Sequence, residues 1–197
     1  MPPFSLPLDI GKESLTTLCQ VIESSKRPLL EAMSACRVSR MPVQYIVKSW
    51  DFRDVRLAMK PPVFIPRPET EQLVSLVLEK CDFRGGRGEK LRILEVGCGS
   101  GAICLSLLKE APADTIEVTA LDRSRLACAL TMENAILNDL WRNLTVVHAK
   151  VDEDGVVAKM AENGPEMSSE SKFDMIVSNP PYVLRKDLMN LAPEISV

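Results

Sequence analysis

Asn179-Pro180-Pro181-Tyr182 is the stretch of this chain whose residue types and spacing can do chemistry. Two consecutive prolines cannot continue a central strand, and they lock the backbone into one extended turn. Asn179 is thereby presented at an edge. There its side-chain oxygen and the Pro180 carbonyl can each accept a hydrogen bond from a planar –NH2 group, while Tyr182 offers a ring face to stack on it. Such a corner binds an amide or an exocyclic amine. With both N–H bonds held, the nitrogen lone pair turns out of its conjugation plane toward an activated methyl for in-line displacement, a positioning effect worth on the order of 7–11 kcal/mol. No strong base is needed, because attack makes the nitrogen acidic and the proton can leave to water. By itself the tetrad also reads as a surface turn; what precedes it in the chain argues for a site.

A cradle for a methyl donor lies earlier. Leu91-Arg92-Ile93-Leu94-Glu95-Val96 alternates its aliphatics as a buried strand does, and Gly97-Cys98-Gly99-Ser100-Gly101 leads from it into the apolar helix pattern Ala102-Ile103-Cys104-Leu105-Ser106-Leu107-Leu108. Glycine suits such a turn because a Cβ would hold a ligand away from the backbone amides. The helix amides and dipole are expected to face the anionic end of whatever binds. A glycine turn also occurs where nothing is bound, but a second apolar run, Thr115 to Leu121, ends on Asp122. That is about twenty residues past the turn, where a carboxylate can accept both hydroxyls of a ribose. Dinucleotide enzymes carry their third glycine one residue later, at the place of Ala102. The spacing therefore favours S-adenosylmethionine over NAD.

The two stretches must be set side by side, and the chain has the elements to do it. Leu144-Thr145-Val146-Val147-His148 reads as a third strand, Phe173-Asp174-Met175-Ile176-Val177-Ser178 as a fourth, and Arg123 to Asn138 as a helix. Strands alternating with helices make an α/β fold with a parallel sheet, whose ligand sites lie at the strands' C-terminal ends. His148 reads as a polar strand end and not as a base. Met1 to Met41 looks helical from Gly11 onward, with Leu15, Leu18, Ile22, Leu29, Leu30 and Met33 as a core stripe. From Pro42 to Glu71 the β-branched, aromatic and proline-rich texture, including Val43-Gln44-Tyr45-Ile46 and Trp50-Asp51-Phe52, suggests short strands and a rigid connector. Glu69 and Glu71 suit a helix start, and the connector is either that start or a segment lying over the cofactor. Arg84-Gly85-Gly86-Arg87-Gly88 reads as a linker without the Lys-Ser/Thr tail of a phosphate loop, and Gly155 to Lys172 as a loop.

The bulk properties exclude several classes. With 197 residues and 46% hydrophobic content, the chain can bury one substantial core plus an appendage. A net charge of −3 disfavours nucleic acid as a partner. Six cysteines without a C-x-x-C pair, beside a single histidine, leave zinc without ligands and read as reduced thiols. No apolar run approaches a membrane span, and the N-terminus has neither a signal-peptide core nor an Arg-rich presequence.

With these residues in view, the chain resembles the HemK/PrmC family of protein-(glutamine) methyltransferases, which modify the glutamine of the Gly-Gly-Gln loop in peptide-chain release factors. The resemblance runs from about Met41 onward and looks closest to the vertebrate organellar branch. Its marks are Arg40-Met41-Pro42-Val43-Gln44-Tyr45-Ile46, Phe64-Ile65-Pro66-Arg67-Pro68-Glu69-Thr70-Glu71, Leu94-Glu95-Val96-Gly97-Cys98-Gly99-Ser100-Gly101 and Ser178-Asn179-Pro180-Pro181-Tyr182. Asn-Pro-Pro-Tyr is shared with adenine amino-methyltransferases; the proline-rich connector is not. The resemblance implies a Rossmann-like class I methyltransferase sheet over residues 91–197, a connector with a β-hairpin and a helix over 42–90, and a short helical appendage over 1–41. It implies that Gly97, Cys98, Gly99, Ser100, Gly101 and Asp122, with Asn179 beside them, bind S-adenosylmethionine. It implies equally that Asn179, Pro180, Pro181 and Tyr182 hold the substrate glutamine, with Asn179, Pro180 and Tyr182 carrying the transfer. No metal is implied, the partner is a release factor in translation termination, and the compartment is the mitochondrion by resemblance only, otherwise the cytoplasm.

Three departures stand against the family pattern. Lys48 occupies a usual glycine, so the turn before Trp50 is expected to differ. Ala149-Lys150-Val151 stands where an acid commonly contacts adenine, leaving Asp152 as the substitute. Family members also continue through three more strands and begin with a longer helical domain, so the chain is expected to be a shortened form with its fourth strand an exposed apolar edge and its stability reduced. The competing functions are an adenine exocyclic-amino methyltransferase and a catalytically inactive shortened form.

Overall fold

The computed structural model describes residues 26–81, 83, 90–152, 157–160 and 172–180. The helix expected between Gly11 and Ser25, the linker Arg84 to Gly88, most of the Gly155–Lys172 loop, and Pro181 with Tyr182 lie outside the described residues.

Helix α1 (Arg27–Val38) opens with a proline in its first turn and buries none of its residues, and Leu29 is 63% exposed. Among the described residues, then, the N-terminal stripe is not core. Helix α2 (Val43–Val47) forms where short strands were expected. Pro42 accepts from the amides of Tyr45 and Ile46, and the buried Tyr45 hydroxyl donates to the Val63 carbonyl at 2.7 Å. A proline start and one long-range anchor outweigh β-branched propensity here. Lys48 closes α2 in the left-handed region at φ 58°, and its carbonyl accepts from Met59 N–H at 3.0 Å. The turn is left-handed with lysine in it, a conformation that glycine takes without the penalty of a Cβ. Lys48→Gly is expected to stabilise the fold by about 1 kcal/mol, since a Cβ in that region is disfavoured by roughly that amount. A shift of the urea midpoint at unchanged slope checks this.

Strands β1 (Ser49–Phe52) and β2 (Val55–Ala58) form an antiparallel hairpin, with Phe52 opposite Val55 and a two-residue turn at Arg53-Asp54. The Arg53 guanidinium forks onto both oxygens of Glu110 and donates to the Glu71 carbonyl at 2.9 Å and the Ser75 hydroxyl at 2.7 Å. One arginine thus ties the hairpin tip to the two helices that follow it, α3 (Thr70–Lys80) and α4 (Ala102–Glu110).

The second layer is a sheet of β3 (Leu91–Val96), β4 (Ile116–Asp122), β5 (Leu144–Val151), β6 (Val157–Lys159) and β7 (Met175–Ser178), in the order β6-β5-β4-β3-β7. β5, β4, β3 and β7 are parallel, as the strand–helix alternation requires; β6 pairs antiparallel with β5 and was not anticipated. α4 follows β3, and α5 (Arg125–Leu137) follows β4 with the Ser124 hydroxyl accepting from Ala127 N–H. Ile93, Val118 and Ala120 pack with Leu105 and Leu107 of α4, while Leu94, Leu121, Val147 and Ala149 form a separate cluster. β7 is the last of the described strands on its side, and Ile176 on it is 66% exposed.

Polar ties join the hairpin to the sheet layer. The buried Asn134 accepts from Ala58 N–H at 2.7 Å and donates to the carbonyls of Ala58 at 3.2 Å and Ser100 at 2.9 Å. One helical turn on, Asn138 accepts from Arg56 N–H at 3.2 Å and donates to its carbonyl at 2.9 Å. Asparagines four apart thus answer the backbone of β2 at alternate residues, much as a neighbouring strand would.

Candidate functional site

The connection from β3 runs through β4 to β5 on one side, and β7 then returns to the other side of β3. The crevice between the carboxyl ends of β3 and β7 is therefore the sheet's switch point, the place where open α/β sheets take ligands. Val96 and Ser178 are in register, and the Ser178 hydroxyl donates to the Val96 carbonyl at 2.8 Å. Gly97 and Asn179 consequently leave neighbouring strands at the same level.

Within the glycine turn the residues divide by direction. Gly97 and Gly99 have φ of 80° and 57°, and a Cβ at either would stand in open space. Cys98 and Ser100 are buried, so their contact with a ligand in the crevice would run through backbone. Gly101 serves packing instead: a Cβ there would lie 3.0 Å from Thr131 Cγ2 and 3.2 Å from Leu105 Cδ1. Thr131 donates to the Gly99 carbonyl at 3.1 Å and contacts Cys98 Sγ at 3.3 Å, holding the turn from α5. Asp122 holds it from β4, accepting from Gly99 N–H at 3.0 Å through Oδ2 and from Ser124 N–H at 2.8 Å through Oδ1. Each carboxylate oxygen keeps a further lone pair. His148, in register with Asp122, lies with Nε2 3.1 Å from the Arg123 carbonyl, where its N–H donates and braces the same bend. Asp152 follows the end of β5, four residues past His148.

The residue that sequence reasoning missed is Glu95. It is 1% exposed and accepts from Cys104 N–H, in the first turn of α4, at 3.0 Å. That amide is answered from inside the core and not by a ligand, which corrects the expectation for this part of the helix start. Burial pushes the Glu95 carboxyl up to about 8 from its ordinary 4.5. The folded state thus keeps a proton that the unfolded chain releases near 4.5, so stability falls as pH rises through that interval and levels off above about 8. The slope is at most about 1.4 kcal/mol per pH unit. Glu95→Gln keeps the acceptor and is expected to flatten the dependence, as thermal melts between the two limits will read.

Asn179 borders a cleft of about 460 Å³ lined by Arg67, Pro68, Glu69, Thr70, Leu73 and Asn179 itself. Its Nδ2 donates to the Thr70 hydroxyl at 3.0 Å. The proline-rich connector is thus a helix start that also lines the cleft beside Asn179. Pro180 is described and exposed; Pro181 and Tyr182 lie outside the described residues. Thr70, Asn134 and Thr131 carried no local signal beyond being polar residues in otherwise apolar helix patterns. Among the described residues no helix is long and apolar enough to cross a membrane.

A strand, a glycine turn opening on a crevice, a carboxylate at the end of the next strand and an asparagine across the switch point are what an adenosine-bearing methyl donor requires. Open space where Cβ atoms would stand at Gly97 and Gly99 fits such a group. These features define an α/β methyltransferase-type domain. The chain belongs to the methyltransferase small domain family, whose model matches residues 70–195. It is 44% identical to the human MTRF1L release factor glutamine methyltransferase over 180 residues, 89% of this chain and 50% of that protein. It is 31% identical to the release factor glutamine methyltransferase of Fusobacterium nucleatum over 194 residues, 98% and 49% of the two chains. For the Deinococcus radiodurans enzyme of the same name the figures are 37% over 159 residues, 81% and 49%. The chain spans about half the length of the curated relatives it matches.

Proposed function

We propose that this chain carries the methyl-transfer site of a release-factor glutamine methyltransferase, using S-adenosylmethionine to methylate the side-chain amide of the Gly-Gly-Gln glutamine. The observation that supports it best is the register of Val96 with Ser178, which sets Asn179 beside the glycine turn at the switch point. Bound there, S-adenosylmethionine supplies a sulfonium-activated methyl. The backbone of Gly97 to Gly101 would cradle it, and the free lone pairs of Asp122 would take the ribose hydroxyls. Asn179 Oδ1 and the Pro180 carbonyl accept the two N–H bonds of the glutamine amide, and the Tyr182 ring stacks on its plane. Held so, the nitrogen presents its lone pair for in-line attack, and the proton it sheds afterward passes to water. The organellar resemblance makes a mitochondrial release factor the natural substrate.

The test offers the chain methyl-labelled S-adenosylmethionine with a release factor, with the same factor carrying alanine for the Gly-Gly-Gln glutamine, and with an adenine-containing oligonucleotide. Label is expected in the first alone. Label in the oligonucleotide would assign the site to adenine instead, and label in none would leave this chain an inactive form.

A further inference from the structure

Thr70 is the first residue of α3, only 7% exposed, yet its hydroxyl plays no part in starting the helix. Its backbone N–H is already bonded to the Arg67 carbonyl at 3.0 Å, and the cap residue is Glu69. The hydroxyl instead accepts from Asn179 Nδ2 at 3.0 Å, across 109 positions of sequence. A carboxamide turns about a broad, nearly two-fold torsion, and its two orientations differ only in which edge carries the donor. In the structure the carboxamide takes the orientation in which Nδ2 donates to the Thr70 hydroxyl oxygen. The Asn179 oxygen is then committed to the side away from Thr70.

We propose that Thr70 is a positioning residue, which by accepting from Asn179 Nδ2 holds the asparagine oxygen out as an acceptor for the substrate amide. The inference rests on the reading of Asn179 given above. Unheld, the carboxamide would turn its own N–H2 toward the N–H2 of the substrate, donor against donor. This gives the start of α3 a role beyond ending the connector: it delivers one hydroxyl to the edge strand β7.

Thr70→Val keeps the shape and removes the acceptor. It is expected to lower kcat about tenfold, the effect of losing one hydrogen bond at the strong end of the neutral range. KM for the release factor, S-adenosylmethionine affinity and melting temperature should stay within twofold or a degree or so of the parent. Thr70→Ser, which retains the hydroxyl, should restore the rate, and Thr70→Val added to Asn179→Ala should cost nothing further. A readout independent of turnover is hydrogen exchange of the Asn179 side-chain amide in 15N-labelled protein. It should be severalfold slower in the parent and Thr70→Ser than in Thr70→Val. Equal exchange in all three, full rate in Thr70→Val, or the same loss on top of Asn179→Ala overturns the inference while leaving Asn179 its role. Full turnover in Asn179→Ala itself overturns the reading of the site, and this inference with it.

Discussion

Asn179→Ala is expected to cut methyl transfer by about 10²–10³-fold, the loss seen when one preorganised hydrogen-bonding partner of a reacting centre is removed. The Pro180 carbonyl remains as the second acceptor, so the loss stays below the full 7–11 kcal/mol that complete positioning can supply. Cofactor affinity should hardly change, because in the proposed reading Asn179 serves the substrate amide, and its substitution leaves the backbone of the glycine turn and Asp122 in place. Stability should also hold within about 0.5 kcal/mol, since Asn179 is exposed and its one described partner is a hydroxyl. Single-turnover rates with saturating release factor separate these expectations. A variant that turns over near the parent rate would remove Asn179 from the mechanism.

The second large effect is expected at Asp122. Its carboxylate answers two backbone amides, Gly99 N–H and Ser124 N–H, and thereby shapes both the glycine turn and the start of α5. Charge-assisted bonds of this kind are each worth about 1.5–3 kcal/mol. Asp122→Ala should therefore destabilise the domain by about 2–4 kcal/mol and weaken S-adenosylmethionine on the order of 100-fold, since the ribose acceptor and the turn's geometry go together. Asp122→Asn separates the two contributions. It keeps one acceptor oxygen but sets an –NH2 against the other backbone amide, so part of the stability loss should remain. Calorimetry that finds an unaltered cofactor affinity in Asp122→Ala would show that the ribose is held elsewhere.

Much of the candidate site's framework was readable before any fold was known, because its pieces are local. Alternating aliphatics, a glycine-rich turn and a helix pattern occupy consecutive residues from Leu91 to Leu108, and the turn's chemistry follows from the residues themselves. Asp122 and Asn179 were legible for the same reason, each standing at the end of an apolar run. Where local signals conflicted with distant contacts, the reading failed. Val43–Val47 is a helix because Pro42 starts it and the Tyr45 hydroxyl reaches Val63. β6 is too short a strand, three residues, to stand out in sequence. The left-handed turn at Lys48 shows the converse, a local geometry set by the surrounding fold against the preference of the residue in it.

What the amino-acid order determined alone was the strand–turn–helix cradle, the two strand-end polar residues and the parallel α/β class, since each follows from side-chain period and backbone restriction over a few residues. Tertiary structure decided which groups answer one another. It buried Glu95 under the start of α4, laid Asn134 and Asn138 along β2, and brought the Thr70 hydroxyl to Asn179. Apart from Glu95, which meets Cys104 nine residues on, those pairings join residues far apart in the chain, and a hydrogen bond across such a span exists only once the core has packed and brought the two partners within reach.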